Sequence, residues 1–280
     1  MKINTKKMNL DLNRPIVMGI LNVTPDSFSD GGIYNHYNYA IKHAANMVKN
    51  GAMIIDIGGE STRPGASEVS LQEELDRVIP IIEAVTKRFE IWISVDTSKA
   101  IVMKEAAKAG AHIINDIKSL HGKGSLEIAA KTGLAICIMH ILDNPRTIQQ
   151  NQNYKNIVVE IKQYFLDEIN RCEEAGIAKD QLIIDPGFCF GKNLSHNYQL
   201  LAKLNEFHTL GVPLLVGISR KSMIGDLLKI SIKERLIGSI ACAVIAAMHG
   251  GAQIIRAHDV KETVQAMKIV QATLSEKEVG

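Results

Sequence analysis

Aromatic residues are scarce in this chain. Only 5% of it is Phe, Trp or Tyr, too little to furnish a base-stacking surface for single-stranded nucleic acid. Neither sign of charge dominates. The formal net charge is +2 and no run of Lys or Arg stands out, so no nucleic-acid partner is expected through a basic face. The four cysteines, Cys137, Cys172, Cys189 and Cys242, form no C-x-x-C pair. Cys137 and Cys242 lie inside apolar runs, which predicts buried free thiols in a reducing compartment and speaks against a zinc site. The longest apolar stretch, 240–248, is far too short to span a bilayer. The polar, basic N-terminus has no apolar core of signal-peptide length. A cytoplasmic protein with no membrane partner is the expectation. No repeat, low-complexity tract or Gly/Pro/Ser-rich linker divides the 280 residues, a length that one barrel-sized domain can use.

What the sequence does have is eight short apolar runs, each tipped at the same end by polar residues. Residues 16–21 run into Asn22, 53–55 into Asp56, and 91–95 into Asp96. Residues 112–114 end in Asn115 and Asp116, 135–139 in His140, and 182–184 in Asp185. Residues 213–218 lead to Ser219, Arg220 and Lys221, and 253–255 to Arg256, with His258 and Asp259 just beyond. A helical pattern follows each run: 37–50, 71–89, 99–109, 124–131, 156–175, 196–207, 232–249 and 260–274. Gly51, Gly110, Gly133, Gly176 and Gly250 stand at or near helix stops, while Ser98 and Asp259 are candidate N-caps.

Strand–helix alternation predicts a parallel sheet with helical crossovers. Eight runs tipped at one end predict that the tips meet, as they do at the C-terminal face of a single-domain (β/α)8 TIM barrel. The barrel domain is expected to span 15–280, with a short N-terminal extension, 1–14, covering its bottom or side. A doubly wound open sheet would need a glycine fingerprint after the first strand, and Asn22-Val23-Thr24-Pro25 is not one. The first two connections, 22–32 and 58–66, are longer than tight βα loops need to be. They read as functional lids over the barrel mouth.

The polar tips and these loops carry a resemblance. Residues 18–32 (MGILNVTPDSFSDGG) and 56–65 (DIGGESTRPG) are similar to two signatures of the dihydropteroate synthases. So are Val95-Asp96-Thr97, Ile114-Asn115-Asp116-Ile117, Met139-His140, Ile184-Asp185-Pro186-Gly187-Phe188, Ser219-Arg220-Lys221-Ser222 and Arg256-x-His258-Asp259-Val260. The blocks run through nearly the whole chain in the family's order. The resemblance implies a TIM barrel that joins 6-hydroxymethyl-7,8-dihydropterin diphosphate to para-aminobenzoate, giving 7,8-dihydropteroate and diphosphate on the route to folate. It also implies Mg2+, a homodimer and binding of sulfonamides, which mimic para-aminobenzoate. The apolar helix 232–249 is the candidate dimer surface.

Residue roles follow from the resemblance and fit elementary chemistry. A pterin presents a guanine-like edge, an amino group beside a ring N–H. Asp185 would accept both protons in a charge-assisted pair. Asn115 would complete the edge, Lys221 would donate to the ring carbonyl and adjacent nitrogen, and Asp96 would accept from the other ring N–H. Met139, Ile20 and Ile117 would wall the ring, and Arg256 would stack on it. Asn22, Arg63, Arg256 and His258 correspond to diphosphate positions, with Asn22 also offering its carbonyl oxygen to Mg2+. Thr62, Pro64, Phe28, Phe190, Lys221 and Ser222 would guide the arylamine. Asp96, Lys221 and Arg63 are the residues assigned to catalysis. Each has an ordinary alternative: Asp96 and Asp185 as caps or buried ion pairs, His258 as a local hydrogen-bonding group. One departure stands out. Cys189 occupies a position where the family commonly has Gly, and a backbone needing positive φ there would strain a cysteine.

Overall fold

The computed structural model describes residues 1–5, 8–24, 33–60, 69–141 and 154–275, with the side chains of 33–36 left aside. Period-two alternation dominates its centre. Eight parallel strands, β3 (Ile16–Asn22), β4 (Ile54–Gly58), β5 (Trp92–Asp96), β6 (Ile113–Asp116), β7 (Ala135–Met139), β8 (Leu182–Asp185), β9 (Leu215–Val216) and β10 (Ile254–Ala257), lie in the order β8-β7-β6-β5-β4-β3-β10-β9. A parallel bridge between Ile184 and Leu214 joins the two ends, so the sheet closes as the expected (β/α)8 barrel. Outward residues such as Val17, Ile57, Ile93, Ile138 and Ile255 pack against the helices in one apolar cluster. Inward residues at the N-terminal ends, Met18, Ile54, Trp92, Ile113, Ile183, Leu215 and Ile254, form a second cluster inside the barrel.

That inner cluster continues into the N-terminal segment. β1 (Lys2–Asn4) and β2 (Asn9–Asp11) pair antiparallel, and Ile3, Leu10 and Leu12 join the inner cluster. The hairpin therefore plugs the bottom of the barrel. Full burial of Ile3 contributes about 1.5–3 kcal/mol.

The helices are α1 (Ile33–Lys49), α2 (Leu71–Arg88), α3 (Ala100–Ala109), α4 (Ser125–Thr132), α5 (Ile157–Glu174), α6 (Leu194–Ala202), α7 (Ser222–Leu228), α8 (Leu236–Met248) and α9 (Val260–Ser275). Several local expectations are corrected. Lys99 rather than Ser98 occupies the N-cap of α3, with no side-chain cap bond. Asp259, by contrast, does stand immediately before α9, where its backbone carbonyl accepts from the Thr263 N–H at 3.0 Å, while its two carboxylate oxygens accept from Arg220 at 2.7 and 2.8 Å. The helix expected over 196–207 ends at Ala202 and continues as a 3-10 segment, Leu204–Leu210. The one expected over 232–249 opens with a separate 3-10 turn before α8. The strand expected over 213–218 shrinks to β9, and the Leu214 N–H donates to the Gln253 side chain at 2.8 Å instead of to a neighbouring strand. α7 emerges from the polar segment after β9. Among the described residues, no helix is long and apolar enough to cross a membrane. All four cysteines are free, and three are buried.

The connection after β8 is tightly constrained. Gly187 has φ 68°, and a Cβ there would lie 2.0 Å from the His140 carbonyl oxygen, so no other residue fits. Cys189 also adopts a left-handed conformation, φ 67°, as suspected from its substitution for glycine. The Asn197 side chain holds it there, accepting from the Cys189 N–H at 2.7 Å. A left-handed non-glycine residue costs about 1–2 kcal/mol, and the extra freedom of glycine in the unfolded chain returns part of that. Cys189→Gly should therefore raise stability by about 0.5–1 kcal/mol, seen as a higher urea midpoint. A lower midpoint would show that the cysteine's packing outweighs its backbone cost.

Candidate active site

Strand parity builds the site. Above the apolar plug, the inward positions turn polar: Asn22 on β3, Asp56 on β4, Ser94 and Asp96 on β5, Asn115 on β6, Asp185 on β8 and Arg256 on β10. In the ladder Asn22 pairs with Gly58, Gly58 with Asp96 and Asp96 with Asn115. Parity, not chain proximity, thus brings these residues to one mouth.

Arg256 is the hub. Its Nε donates to Asp56 Oδ2 at 2.6 Å and its second guanidinium nitrogen to Asp96 Oδ2 at 2.8 Å. Asn115 Nδ2 also donates to Asp56 Oδ2, at 3.1 Å. Asp56 is fully buried, yet among the described residues its Oδ1 finds no hydrogen-bond partner, and neither does the Ser94 hydroxyl beside it in register. Burial pushes the Asp96 carboxyl up to about 7, against the pull of Arg256, because Asp56 shares the same guanidinium. Arg256 itself is held more firmly protonated by the two carboxylates.

Asp185 faces this hub across Gly217. A Cβ on Gly217 would touch Arg256 at 3.7 Å and Asp185 Oδ2 at 3.9 Å, so the missing side chain leaves room between them. Asp185 Oδ1 accepts from the Gly187 N–H at 2.8 Å. Burial raises the Asp185 pKa, opposed first by Lys221. Lys221 donates to the Phe188 carbonyl at 2.7 Å and sits 4.7 Å from the Phe190 ring centroid. Burial lowers its pKa. The preceding Arg220 has φ 57° and turns away to Asp259. One basic residue of that pair thus supports the wall while the other enters the mouth.

The remaining predicted residues divide. Met139 and Ile20 are buried, and Ile117 is half-buried on the turn after β6. That turn is fixed by Asp116, whose carboxylate accepts from the N–H groups of Lys118 and Leu120 at 2.8 and 2.9 Å; burial pushes its pKa up to about 6. Ser222 is exposed at the start of α7 and Phe190 is half-buried. His258 is exposed, and its Nδ1 lies 3.0 Å from the Ser219 hydroxyl. Phe28, Thr62, Arg63 and Pro64 lie outside the described residues.

Two residues had no assigned role and prove central to this geometry. Asp56 was visible as a strand-tip acid, and its parity with Asp96 was the available signal. Lys192 gave no such signal. It is buried, and its ammonium donates to the carbonyls of Gly187, Phe190 and His140 at 2.8, 3.0 and 3.3 Å and to His140 Nδ1 at 3.1 Å. Burial and Lys192 together hold the His140 imidazole neutral, and burial brings the Lys192 pKa down to about 7.

This constellation has known counterparts. A family profile described as pterin binding enzyme matches residues 18–258. The dihydropteroate synthase of Escherichia coli (strain K12) is 63% identical over 278 residues, covering 99% of this chain and 98% of that protein. A Yersinia pestis dihydropteroate synthase, solved as a sulfonamide drug complex, superposes with a TM-score of 0.93 at 61% identity over 98% of this chain and 100% of its own. A Xanthomonas albilineans dihydropteroate synthase, solved with 4-aminobenzoic acid, superposes with a TM-score of 0.92 at 42% identity, covering 99% of each chain. With this fold, this barrel mouth and these relatives, the chain belongs to the dihydropteroate synthase family of pterin-binding enzymes.

Proposed function

We infer that this protein condenses 6-hydroxymethyl-7,8-dihydropterin diphosphate with para-aminobenzoate, releasing diphosphate and 7,8-dihydropteroate, an intermediate of folate biosynthesis. The observation that carries this reading is the paired acid array, Asp56–Arg256–Asp96 on one side and Asp185–Lys221 on the other. Such an array suits a flat heterocycle with N–H donors on one edge and a carbonyl acceptor nearby. In this reading Asp185 Oδ2 takes the amino-pyrimidine edge. Asn115, with one N–H spent on Asp56, offers its other N–H and its carbonyl. Lys221, with one of three N–H groups spent on Phe188, offers the others.

The reaction breaks the C–O bond to diphosphate and forms a C–N bond to the arylamine, which then sheds its extra proton. As the leaving group departs, positive charge develops on the exocyclic methylene and spreads into the ring. Asp96 stabilises that charge by accepting from the ring N–H that becomes more acidic, while Arg256 fixes the carboxylate before the charge appears. This is preorganised electrostatics and needs no side-chain nucleophile. Lys221, Phe190 and Ser222 would form the described part of the arylamine site, joined by Phe28, Thr62 and Pro64. The 4-aminobenzoic acid in the Xanthomonas albilineans relative supports that class of second substrate. Asn22, Arg63, Arg256 and His258 would receive the diphosphate.

Among the described residues, no group of three or more His, Cys, Asp or Glu could hold a metal ion unaided. Mg2+ does not need one, since it keeps several waters and binds substrate phosphates with only one or two protein oxygens. Asn22, half-buried at the end of β3, fits as one such donor. When bound, Mg2+ would neutralise charge on the departing diphosphate. Steady-state turnover of the two substrates should therefore fall sharply when Mg2+ is chelated. Turnover that is absent with Mg2+ present would refute the reading.

A homodimer is proposed through α8 and α9. Ile237 and Ile269 are 82% and 70% exposed, and Ile245 and Met248 extend the apolar face of α8. Sedimentation velocity should give a dimer for the native protein and a monomer for Ile237→Glu; a native monomer rules the surface out. Free buried thiols and the absence of a described membrane span support a cytoplasmic setting.

Pterin calorimetry examines both acid groups. Losing a charge-assisted pair costs about 1.5–3 kcal/mol, so Asp185→Ala should weaken 6-hydroxymethylpterin binding by roughly ten- to 150-fold. Asp96, with its pKa raised to about 7, is largely protonated in the empty site at pH 6 and must ionise to accept from the ring. Binding should then release about one proton at pH 6 and close to none at pH 8.5, read from the dependence of heat on buffer. Unchanged affinity in Asp185→Ala, or proton uptake at pH 6, would contradict the assignments.

A further inference from the structure

The loop after β8 supplies three contacts to the mouth: the Gly187 N–H on Asp185, the Phe188 carbonyl on Lys221, and the Phe190 ring beneath the same ammonium. None of these groups is fixed by a regular element. The loop leaves β8 at Asp185 and reaches α6 only at Leu194, passing through left-handed residues 187, 189 and 191. Such a backbone holds its shape only when surrounding bonds determine it.

Lys192 supplies four of those bonds through a single ammonium. Its ammonium lies among the carbonyls of Gly187, Phe190 and His140, with the His140 imidazole as a fourth acceptor. His140 belongs to the tip of the neighbouring strand and donates its own N–H to the Asp185 carbonyl at 2.9 Å. The lysine thus ties the loop to the β7 tip at two points that flank Phe188. Its three N–H groups are fully used by these acceptors, so it has no spare donor for a substrate.

We propose that Lys192 is a positioning residue for the reaction inferred above: it clamps the loop after β8 so that Phe188, Phe190 and Asp185 meet Lys221 and the bound substrates. This rests on the functional reading for its kinetic part, but not for its pterin-binding part. The clamp serves only one side of the mouth. Asp96, Arg256 and Asp56 are held by β5, β10 and β4 and by one another, and Lys192 bonds to none of them. Loosening the clamp should therefore impair binding far more than the chemical step.

Lys192→Met keeps the apolar stem and removes the cation. The expected result is a folded protein with the para-aminobenzoate KM and the 6-hydroxymethylpterin Kd each raised tenfold or more, while kcat at saturation stays within about threefold. Lys192→Gln, which keeps two N–H donors on an uncharged head, should fall between the variant and the native protein. A folded Lys192→Met with native KM and Kd would overturn the proposal, as would a fall in kcat with KM unchanged. Should Lys192→Met fail to unfold cooperatively, Lys192→Gln is read by the same criteria. Collapse of both would assign Lys192 to stability alone and equally overturn it. If the native protein binds pterin but does not turn over, the functional reading fails while the pterin Kd still tests the clamp.

Discussion

One guanidinium shared by two carboxylates, one buried and one half-buried, organises the barrel mouth. Arg256 joins Asp56 on β4 to Asp96 on β5 from its own place on β10, and Asn115 adds a bond from β6. β10 and β4 flank β3 on opposite sides, so the ion pairs reach across a strand that contributes none of these charges. Buried ion pairs of this kind add little net stability, since removing charges from water offsets much of their attraction. Their effect is to fix geometry. A carboxylate already aligned by an arginine can meet a developing positive charge without rearranging when that charge appears.

The plug beneath this array sets its strength. Ile3, Leu10 and Leu12 from the N-terminal hairpin meet Met18, Trp92, Ile183 and Ile254 inside the barrel, so the floor beneath the charges is apolar. Low polarisability strengthens each hydrogen bond in the mouth and makes each unpaired polar atom more costly. Among the described residues, Asp56 Oδ1 and the Ser94 hydroxyl are such atoms. They lie side by side on neighbouring strands, at the boundary where apolar inward residues give way to polar ones.

The barrel was legible because its rule is local. An apolar run with a polar residue at its C-terminal end states both a strand and its direction, and eight of these imply a shared mouth. Convergence of Asp96, Asn115, Asp185, Lys221 and Arg256 followed from that rule. What escaped was set by long-range partners. α7 is only seven residues long and begins at the end of a polar segment, too short for its apolar pattern to stand out, and β9 is short because the Leu214 N–H is taken by the Gln253 side chain. Ser98 has the chemistry of an N-cap, yet Lys99 takes the position. Asp56 was visible as an acid at a strand tip, but only its bond to Arg256, 200 residues away in sequence, gives it a part in the site. Lys192 resembled any lysine in a glycine-rich turn until the carbonyls around it were known.

Arg256 and Lys192 also show how the mouth balances its charge. Arg256 is satisfied by carboxylates, which cancel its charge as they accept its hydrogens. Protonated Lys192 is satisfied by carbonyl oxygens and a neutral imidazole, which accept hydrogens without cancelling its charge. Its field therefore reaches Asp185, where it favours the ionised acid alongside Lys221 and Arg256. Three inward carboxylates, Asp56, Asp96 and Asp185, are in this way faced by three cations, although only two of those cations enter the mouth. A ligand that approaches Asp185 meets a carboxylate whose counter-charge comes partly from behind, leaving Oδ2 open toward the space above Gly217. A lysine caged by carbonyls can supply that counter-charge without occupying the acceptor that the ligand needs.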